Sequence, residues 1–270
     1  MDFSVLMSVY KKDDPSCFEI AINSVLTQTI PPNEVVLVVD GPVPYALEQV
    51  INKFEKPNTF RVIRLSENKG LGEARRVGVQ ACTNDLVAVM DSDDIAVSQR
   101  FEIQLLEFQK DSELDIVGGY IEEFIESPEN VVGKRFVALT DAQIKADLKK
   151  RCPMNHVTVM FKKNAVEAAG GYLTWHYNED YYLWLRMVLA NRKFANVSQT
   201  LVQVRIGEEM YQRRGGWKYF RSEAKLQKYM LDQKIIGFGT YVVNVSKRFA
   251  FQVLIPNKLR GFLYKKLLRG

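Results

Sequence analysis

The stretch LVAVMDSDD, residues 86–94, runs five apolar residues straight into the carboxylates Asp91, Asp93 and Asp94. An apolar run of that length with no polar position suits a strand buried on both faces. Such strands belong to parallel sheets covered by helices on either side. The acids then stand where a buried strand ends, at the mouth of the core. Carboxylates crowded there repel one another unless a cation or a base neutralises them.

Three more runs of strand length precede this one: FSVLMSVY (3–10), EVVLVVD (34–40) and FRVIRL (60–65). Helical segments lie between them, at 17–28 with Phe18, Ala21, Ile22, Val25 and Leu26 on one face, at 44–54 and at 72–81. Strand and helix alternating in this way predict right-handed crossovers, hence a Rossmann-like, mostly parallel sheet flanked by helices in an α/β fold. Ligands of such sheets bind outside the carboxyl ends of the strands. Beyond about residue 125 the pattern changes. VVGKRFVAL (131–139) and HVTVMFKK (156–163) read as strands, and 180–192 as a helix with Tyr182, Leu185, Val188 and Leu189 on one face. FANVSQTLVQVRI (194–206) reads as two short strands, and 216–233 as a helix leading into a basic tail.

Across 270 residues the formal net charge is only +5, but the bases from Arg213 to Arg269 face just two acids, Glu223 and Asp232. Such asymmetry suggests a tail that meets phosphate, in nucleic acid or anionic lipid. Cys17, Cys82 and Cys152 are an odd number without a CxxC pair, which argues against a disulfide framework or zinc site and fits a reducing compartment. The apolar stretch at the N-terminus is too short for a signal peptide, and no run approaches the ~20 apolar residues of a spanning helix. The expectation is a cytoplasmic protein, soluble or peripheral.

The residues just past each strand carry the chemistry. Asp40-Gly41-Pro42 comes after the second, SENKGLGEARR (66–76) after the third and DSDD after the fourth. Singly, each has an ordinary explanation: a turn, a loop opening a helix with Glu73 at its dipole, a chance acidic tripeptide. The acids are not needed as helix caps, because Ser98 is available for the next helix. Together they make a site. Clustered carboxylates are hard oxygen ligands that select Mg²⁺ or Mn²⁺, commonly with substrate phosphates completing the shell. Lys69, Arg75 and Arg76 can meet phosphate charge, Gly70 and Gly72 admit close approach, and Asp40 can accept from a nucleobase N–H or ribose hydroxyl.

These motifs, in order from the SVY of the first strand through VLVVDGP, NKGLGEARRVGVQAC and DLVAVMDSDD to NEDYYLWLRM (178–187), resemble the inverting family-two glycosyltransferases with the GT-A fold. More narrowly, they are similar to those that build bacterial capsular and exopolysaccharide repeats. The resemblance spans residues 3–205. It implies a nucleotide-sugar donor, UDP-linked, held by residues 1–120, an acceptor-binding half at 121–210, and a basic helical C-terminal extension at 211–270. It implies that Asp40 binds the base with Val9 and Tyr10 beside the uracil, and that Asn68, Lys69, Gly70, Arg75 and Ser92 line the donor. Asp93 becomes the direct metal ligand, with Asp91 beside it nearer the ribose, and Asp180 the catalytic base with Glu179 adjacent. Val39 and Pro42 depart from the pattern around the base-binding aspartate, where many members carry an acid and a serine. QRRGGW (212–217) lacks the spacing of the processive members' motif, so one transfer per acceptor is expected.

Three residues are acceptor-side candidates with a structural alternative each. His156 either faces the sugar or is packed, and Trp175 and His176 either form a face for a sugar ring or pack the domain. In the tail, Leu259, Phe262, Leu263 and Leu267 share a helical face ringed by Lys258, Arg260, Lys265 and Arg269, with Lys266 snorkelling. Attachment to an anionic membrane surface is the expectation, beside a lipid-linked saccharide acceptor, and packing on the domain is the alternative. A sugar nucleotidyltransferase would carry a Gly-rich loop where this chain has YKKDDPS. A nucleic-acid binder would be repelled by the acidic rim, and an inactive scaffold would not need intact DSDD and NED motifs.

Overall fold

Strands form where the apolar runs predict them, as β1 (Phe3–Val9), β2 (Glu34–Val39), β3 (Phe60–Arg64) and β4 (Leu86–Met90). All four pair in parallel in the order β3-β2-β1-β4, with Val5 opposite both Val35 and Ala88. The computed structural model that shows this describes residues 1–56, 58–207 and 215–255. The crossovers are α1 (Pro15–Leu26), α2 (Tyr45–Phe54) and α3 (Leu71–Ala81). Alternate residues of β1 and β2 go to opposite faces. Phe3, Val5, Met7, Val35 and Leu37 pack with α1 and α2, while Leu6, Val36 and Val38 pack with α3. That is the period-two geometry of a strand covered on both sides. β3 differs from the expectation: as the edge strand it has one neighbour, and only Phe60 is fully buried. α1 begins earlier than predicted because Asp14 accepts from the Ser16 and Cys17 amides and Pro15 fills the first turn. Its Leu26 is exposed.

The second half adds β5 (Ile95–Ala96), α4 (Arg100–Lys110), β6 (Ile116–Phe124), β7 (Val131–Arg135), α5 (Asp141–Leu148), β8 (Met160–Lys162), α6 (Lys163–Ala168), α7 (Glu179–Leu189) and β9 (Phe194–Arg205). β8 joins β4 antiparallel, and the sheet continues through β6 and β9 to β5, with β7 on β6. The two short strands expected over 194–206 are one strand. It runs beside β6, and slips of register at Gly119 and Tyr120 absorb the exposed Ser198 and Gln199, so the polar interruption marks a bulge rather than a turn. The strand expected over 131–139 stops at Arg135. Of the one expected over 156–163, His156–Thr158 is a 3₁₀ turn and only three residues pair. α4 is capped at Gln99 with no side-chain bond, and the Ser98 carbonyl instead accepts from the Thr29 amide. α7 is buried more widely than a single stripe: Tyr181, Leu183, Trp184, Leu185 and Met187 are inside and Leu189 is exposed.

After β9 come α8 (Trp217–Asp232), α9 (Phe238–Phe249) and a π turn (Ala250–Leu254). Leu226 and Met230 of α8 enter the core cluster shared by α3 and α7. The bases Arg213 and Arg214 and the amphipathic segment 258–269 lie outside the described residues. Among the described residues no helix is long and apolar enough to cross a membrane.

Gly78 sets how closely α3 approaches the sheet, since a Cβ there would stand 2.1 Å from Leu6 Cδ1 and 3.1 Å from Val38 Cγ2. Helix propensity favours alanine over glycine by about 1 kcal/mol, whereas overpacking a buried contact costs about 1–3 kcal/mol. Both contacted side chains are fixed in the core, so packing wins. Gly78→Ala is expected to lower Tm by several degrees in a thermal melt, against the propensity trend.

Candidate active site

Because β1 to β4 are parallel, the residues after them gather on one edge of the sheet. Asp40 leaves the end of β2 and is buried. Its carboxylate accepts from Asn68 Nδ2 at 3.0 Å, the Lys69 amide at 2.7 Å and the Gly70 amide at 2.9 Å, so the loop after β3 is wound around it. Gly41, at φ +82°, lets that loop close in, since a Cβ would lie 2.5 Å from the Asn68 nitrogen. Val9 is buried and its carbonyl accepts from the Asp40 amide, while Tyr10 stands at the rim, partly exposed. Asn68 and Lys69 are exposed on the outer side of the loop.

Two buried arginines lie near the carboxylates after β4, one of them bonded to Asp91. Arg75 of α3 donates to Asp91 at 3.0 Å and is itself buried. Arg100 of α4 is wholly enclosed and donates to the Val89 carbonyl at 2.7 Å. Burial lowers its pKa, and the negative charges of Asp91 and Asp94 oppose that. Asp94 is buried and accepts from the Arg205 amide at 2.8 Å. Burial first, then Asp93 and Asp91, raise its pKa well above the ordinary range. Asp93 meets solvent on its outer side but is otherwise packed round by protein. Desolvation, then the charges of Asp91 and Asp13, push its pKa up to about 6. Asp13 reaches the same cluster from the loop after β1, accepting from Ser92 Oγ at 2.9 Å and the Tyr10 amide at 3.0 Å. Burial raises its pKa as well. Sequence reasoning passed over Asp13, although the rule that found Asp40 and Asp91, a carboxylate just past a buried strand, applies to KKDDP too. Arg100 and Arg205 carried no such signal.

The donor set here is all oxygen, and among the described residues no three acids, histidines or cysteines are arranged to enclose a metal unaided. Carboxylates whose pKa is raised by burial and then by mutual repulsion fit a divalent cation that also takes ligands from a bound phosphate.

The N-terminus of α7 meets this edge. Gly72 in the first turn of α3 leaves room for Glu179, whose Cγ would lie 3.1 Å from a Cβ there. Burial raises the Glu179 pKa and Arg75 works against it. Asp180 accepts from the Tyr181 amide at 2.7 Å and from the Cys152 thiol at 3.6 Å. Burial, then Asp180 itself, keep that thiol protonated. Tyr172 ties the two ends together: its buried phenol feels Arg75, Asp180 and Asp91 and bonds His156 Nε2 at 2.9 Å. His156 stacks on Trp184 and is held neutral by burial, Arg75 and Arg100. Its contacts are therefore those of the packed alternative. Trp175 likewise packs, with its ring centroid 4.4 Å from that of Tyr182, Lys225 Nζ 4.6 Å over it and its Nε1 donating to the Ser222 carbonyl at 3.4 Å. His176 lies beside Tyr177, ring centroids 4.1 Å apart, and burial, then Lys218, lower its pKa.

Comparison with known proteins gives the relatives of the chain and of its fold. The pattern of Glycosyl transferase family 2 matches residues 4–168. The chain is 36% identical over 267 residues to the UDP-Gal:alpha-D-GlcNAc-diphosphoundecaprenol beta-1,3-galactosyltransferase of Escherichia coli, covering 99% of this chain and 96% of that one. It is 35% identical to the amylovoran biosynthesis glycosyltransferase AmsE of Erwinia amylovora, covering 99% and 100%. The fold matches that of S. aureus TarS 1–349 in complex with UDP-GlcNAc, with TM-score 0.68 and 16% identity over 94% of this chain and 74% of that one.

The crowding of Asp93 has a measurable cost. Its folded pKa of about 6 lies above the ordinary 3.8, so as pH rises through that window the unfolded chain ionises first and the fold loses stability. Above the window the loss is complete. With EDTA present, Asp93→Asn should melt slightly higher than wild type at neutral pH, since solvent screens part of the effect at this exposed side chain. At or below the ordinary carboxylate value, where Asp93 is protonated anyway, the two melting curves should coincide.

Proposed function

The chain belongs to glycosyl transferase family 2 and is a glycosyltransferase of GT-A fold, and we propose that it is an inverting, non-processive one. In this reading it moves one hexose from a UDP-linked donor to a hydroxyl of a lipid-linked saccharide during surface polysaccharide biosynthesis. The observation that carries the reading is Arg75. This buried cation bonds Asp91 on one side and opposes the rise in the Glu179 pKa on the other, so the carboxylate cluster and an acidic helix start share one counter-charge.

In this proposal residues 1–120 hold the donor and 121–210 the acceptor. Asp40 organises the Asn68–Gly70 loop against which the base rests, with Val9 and Tyr10 beside it. Asp93 and Asp91 hold Mn²⁺ or Mg²⁺ together with the donor diphosphate. A cation held there by Asp93 and Asp91 would supply charge stabilisation to a departing nucleoside diphosphate. Ser92 keeps Asp13 turned into the cluster, and Arg75 holds Asp91 in place. Asp180 opens α7, where the helix dipole favours an ionised carboxylate, and the Cys152 thiol steadies one of its oxygens. Asp180 takes the proton from the attacking acceptor hydroxyl, because a neutral hydroxyl is a poor nucleophile. Glu179, its pKa raised, borders the same pocket, and His156, Trp175 and His176 shape the acceptor side from behind. The two relatives named for diphosphoundecaprenol and amylovoran support a lipid-linked acceptor and a polysaccharide product. A cytoplasmic location, peripheral on the inner face of the cell membrane, belongs to the same proposal, and the acidic rim speaks against nucleic acid.

A positioned base contributes about 10²–10⁴-fold to rate. Asp180→Asn should lower turnover by that factor while donor affinity, read by calorimetry with Mn²⁺, stays within a few-fold of wild type. NMR of the wild-type product should show a β linkage from an α-linked donor. A retained anomer, or near-normal turnover in the variant, would defeat the mechanism. Excess EDTA should abolish transfer and added Mn²⁺ restore it.

A further inference from the structure

α9 folds with its polarity reversed. Its inward stripe is mainly polar, with Asn244 and Arg248 continued by Gln252 of the π turn, and with Tyr241 packed on the core and Val245 partly buried beside them. Asn244 Nδ2 donates to the Lys149 carbonyl at 2.9 Å and to Gln227 Oε1 at 2.8 Å. Arg248 pairs with Glu223 and donates to the Lys150 carbonyl at 2.9 Å, and the Gln252 carbonyl accepts from the Gly216 amide at 2.9 Å. Polar bonds thus hold the helix along its length. The apolar residues point outward, with Phe238 71% and Leu254 64% exposed, and Val242 and Val243 exposed between them. A surface helix of a soluble protein turns its apolar stripe the other way.

The patch continues onto α8. Trp217 is half-exposed, its ring 5.3 Å from that of Phe220 and 6.3 Å from that of Phe249, with the Arg221 guanidinium 5.3 Å over it. The surrounding charge has one sign. Glu223 and Asp232 are the only acids in 215–255, and each is paired, with Arg248 and Lys228. Lys218, Arg221, Lys234 and Lys247 are exposed and have no carboxylate partner among the described residues.

We propose that the outward face of α9, with Trp217 at its border, seats on an anionic lipid bilayer. An apolar helix face flanked by exposed bases and an interfacial tryptophan suits the boundary between acyl chains and acidic headgroups. The surrounding bases add attraction to negatively charged lipid specifically. A protein partner would need acids placed to meet those bases around a bare helix, whereas a bilayer supplies negative charge at any lateral position. The inference rests on the proposed lipid-linked acceptor only for the reason a membrane is met. The surface itself is read from α8 and α9.

The test uses the full chain and vesicles of phosphatidylcholine, alone or mixed with phosphatidylglycerol, in a sedimentation assay without any sugar. Wild type should bind the mixed vesicles at least ~10-fold more tightly than the neutral ones. Val242→Glu with Val243→Glu should weaken that binding by ~10-fold or more, leaving Tm and donor hydrolysis in solution unchanged. Lys234→Glu with Lys247→Glu should remove the preference for phosphatidylglycerol. Wild type remaining in the supernatant, or the valine double variant sedimenting like wild type, would overturn the proposal. So would a large fall in Tm of that variant, which would mean that the chain covers the face itself. A dimer broken by the variant with vesicle binding intact would assign the face to a second copy. Vesicle binding by a chain that transfers no sugar would leave this surface standing and refute the proposed function instead.

Discussion

The ion pair between Arg75 and Asp91 is the interaction on which the site depends. Three strand ends deliver carboxylates to one edge of the sheet, Asp13 after β1, Asp40 after β2 and Asp91 to Asp94 after β4, where they face low-dielectric protein on one side. Mutual repulsion there would open the edge. Arg75 from one face of the sheet and Arg100 from the other offset part of the charge, while burial, and after it the neighbouring acids, still raise the pKa values of Asp93, Asp94 and Asp13. A fold that keeps such a residue of negative charge does so at the expense of its own stability, as functional sites often do.

Arg75 reaches that position because α3 lies unusually close to its neighbours. Gly78 brings the helix down onto Leu6 and Val38, and Gly72 lets Glu179 press against its first turn. Two missing side chains therefore align three things: the helix that carries Arg75, the strand end that carries Asp91 and the start of α7 that carries Glu179 and Asp180. Tyr172 and His156 fill the space behind with a neutral, hydrogen-bonded pair.

α8 and α9 apply the same physical rules with a different outcome. α8 has an ordinary amphipathic arrangement, with Leu226 and Met230 entering the core. α9 satisfies its polar residues against α8 and the carbonyls that close α5, and leaves its valines in solvent. Buried polar groups demand partners while exposed apolar groups merely lose burial, so a helix can be held by its polar face once the partners are fixed.

The order of strands and helices in the first 120 residues was legible from the chain alone, because period-two and period-3.6 patterns are local and the strands are apolar over most of their length. The strand-end rule located Asp40, the 66–76 loop and Asp91 to Asp94, since parallel strands must place their carboxyl ends on one edge. The motifs NKGLGEARR and NEDYY named the family. Tertiary structure alone decided the rest. Which base neutralises which acid is set by contacts between residues far apart in sequence, and no spacing shows that Arg75, rather than Lys69 or Arg76, is the buried one. The single long β9 depends on pairing with β6, and the edge position of β3 on its having one neighbour. The packed roles of His156 and Trp175, and the outward apolar face of α9, arise from the surroundings each side chain meets, and a sequence pattern records polarity without recording which way it points.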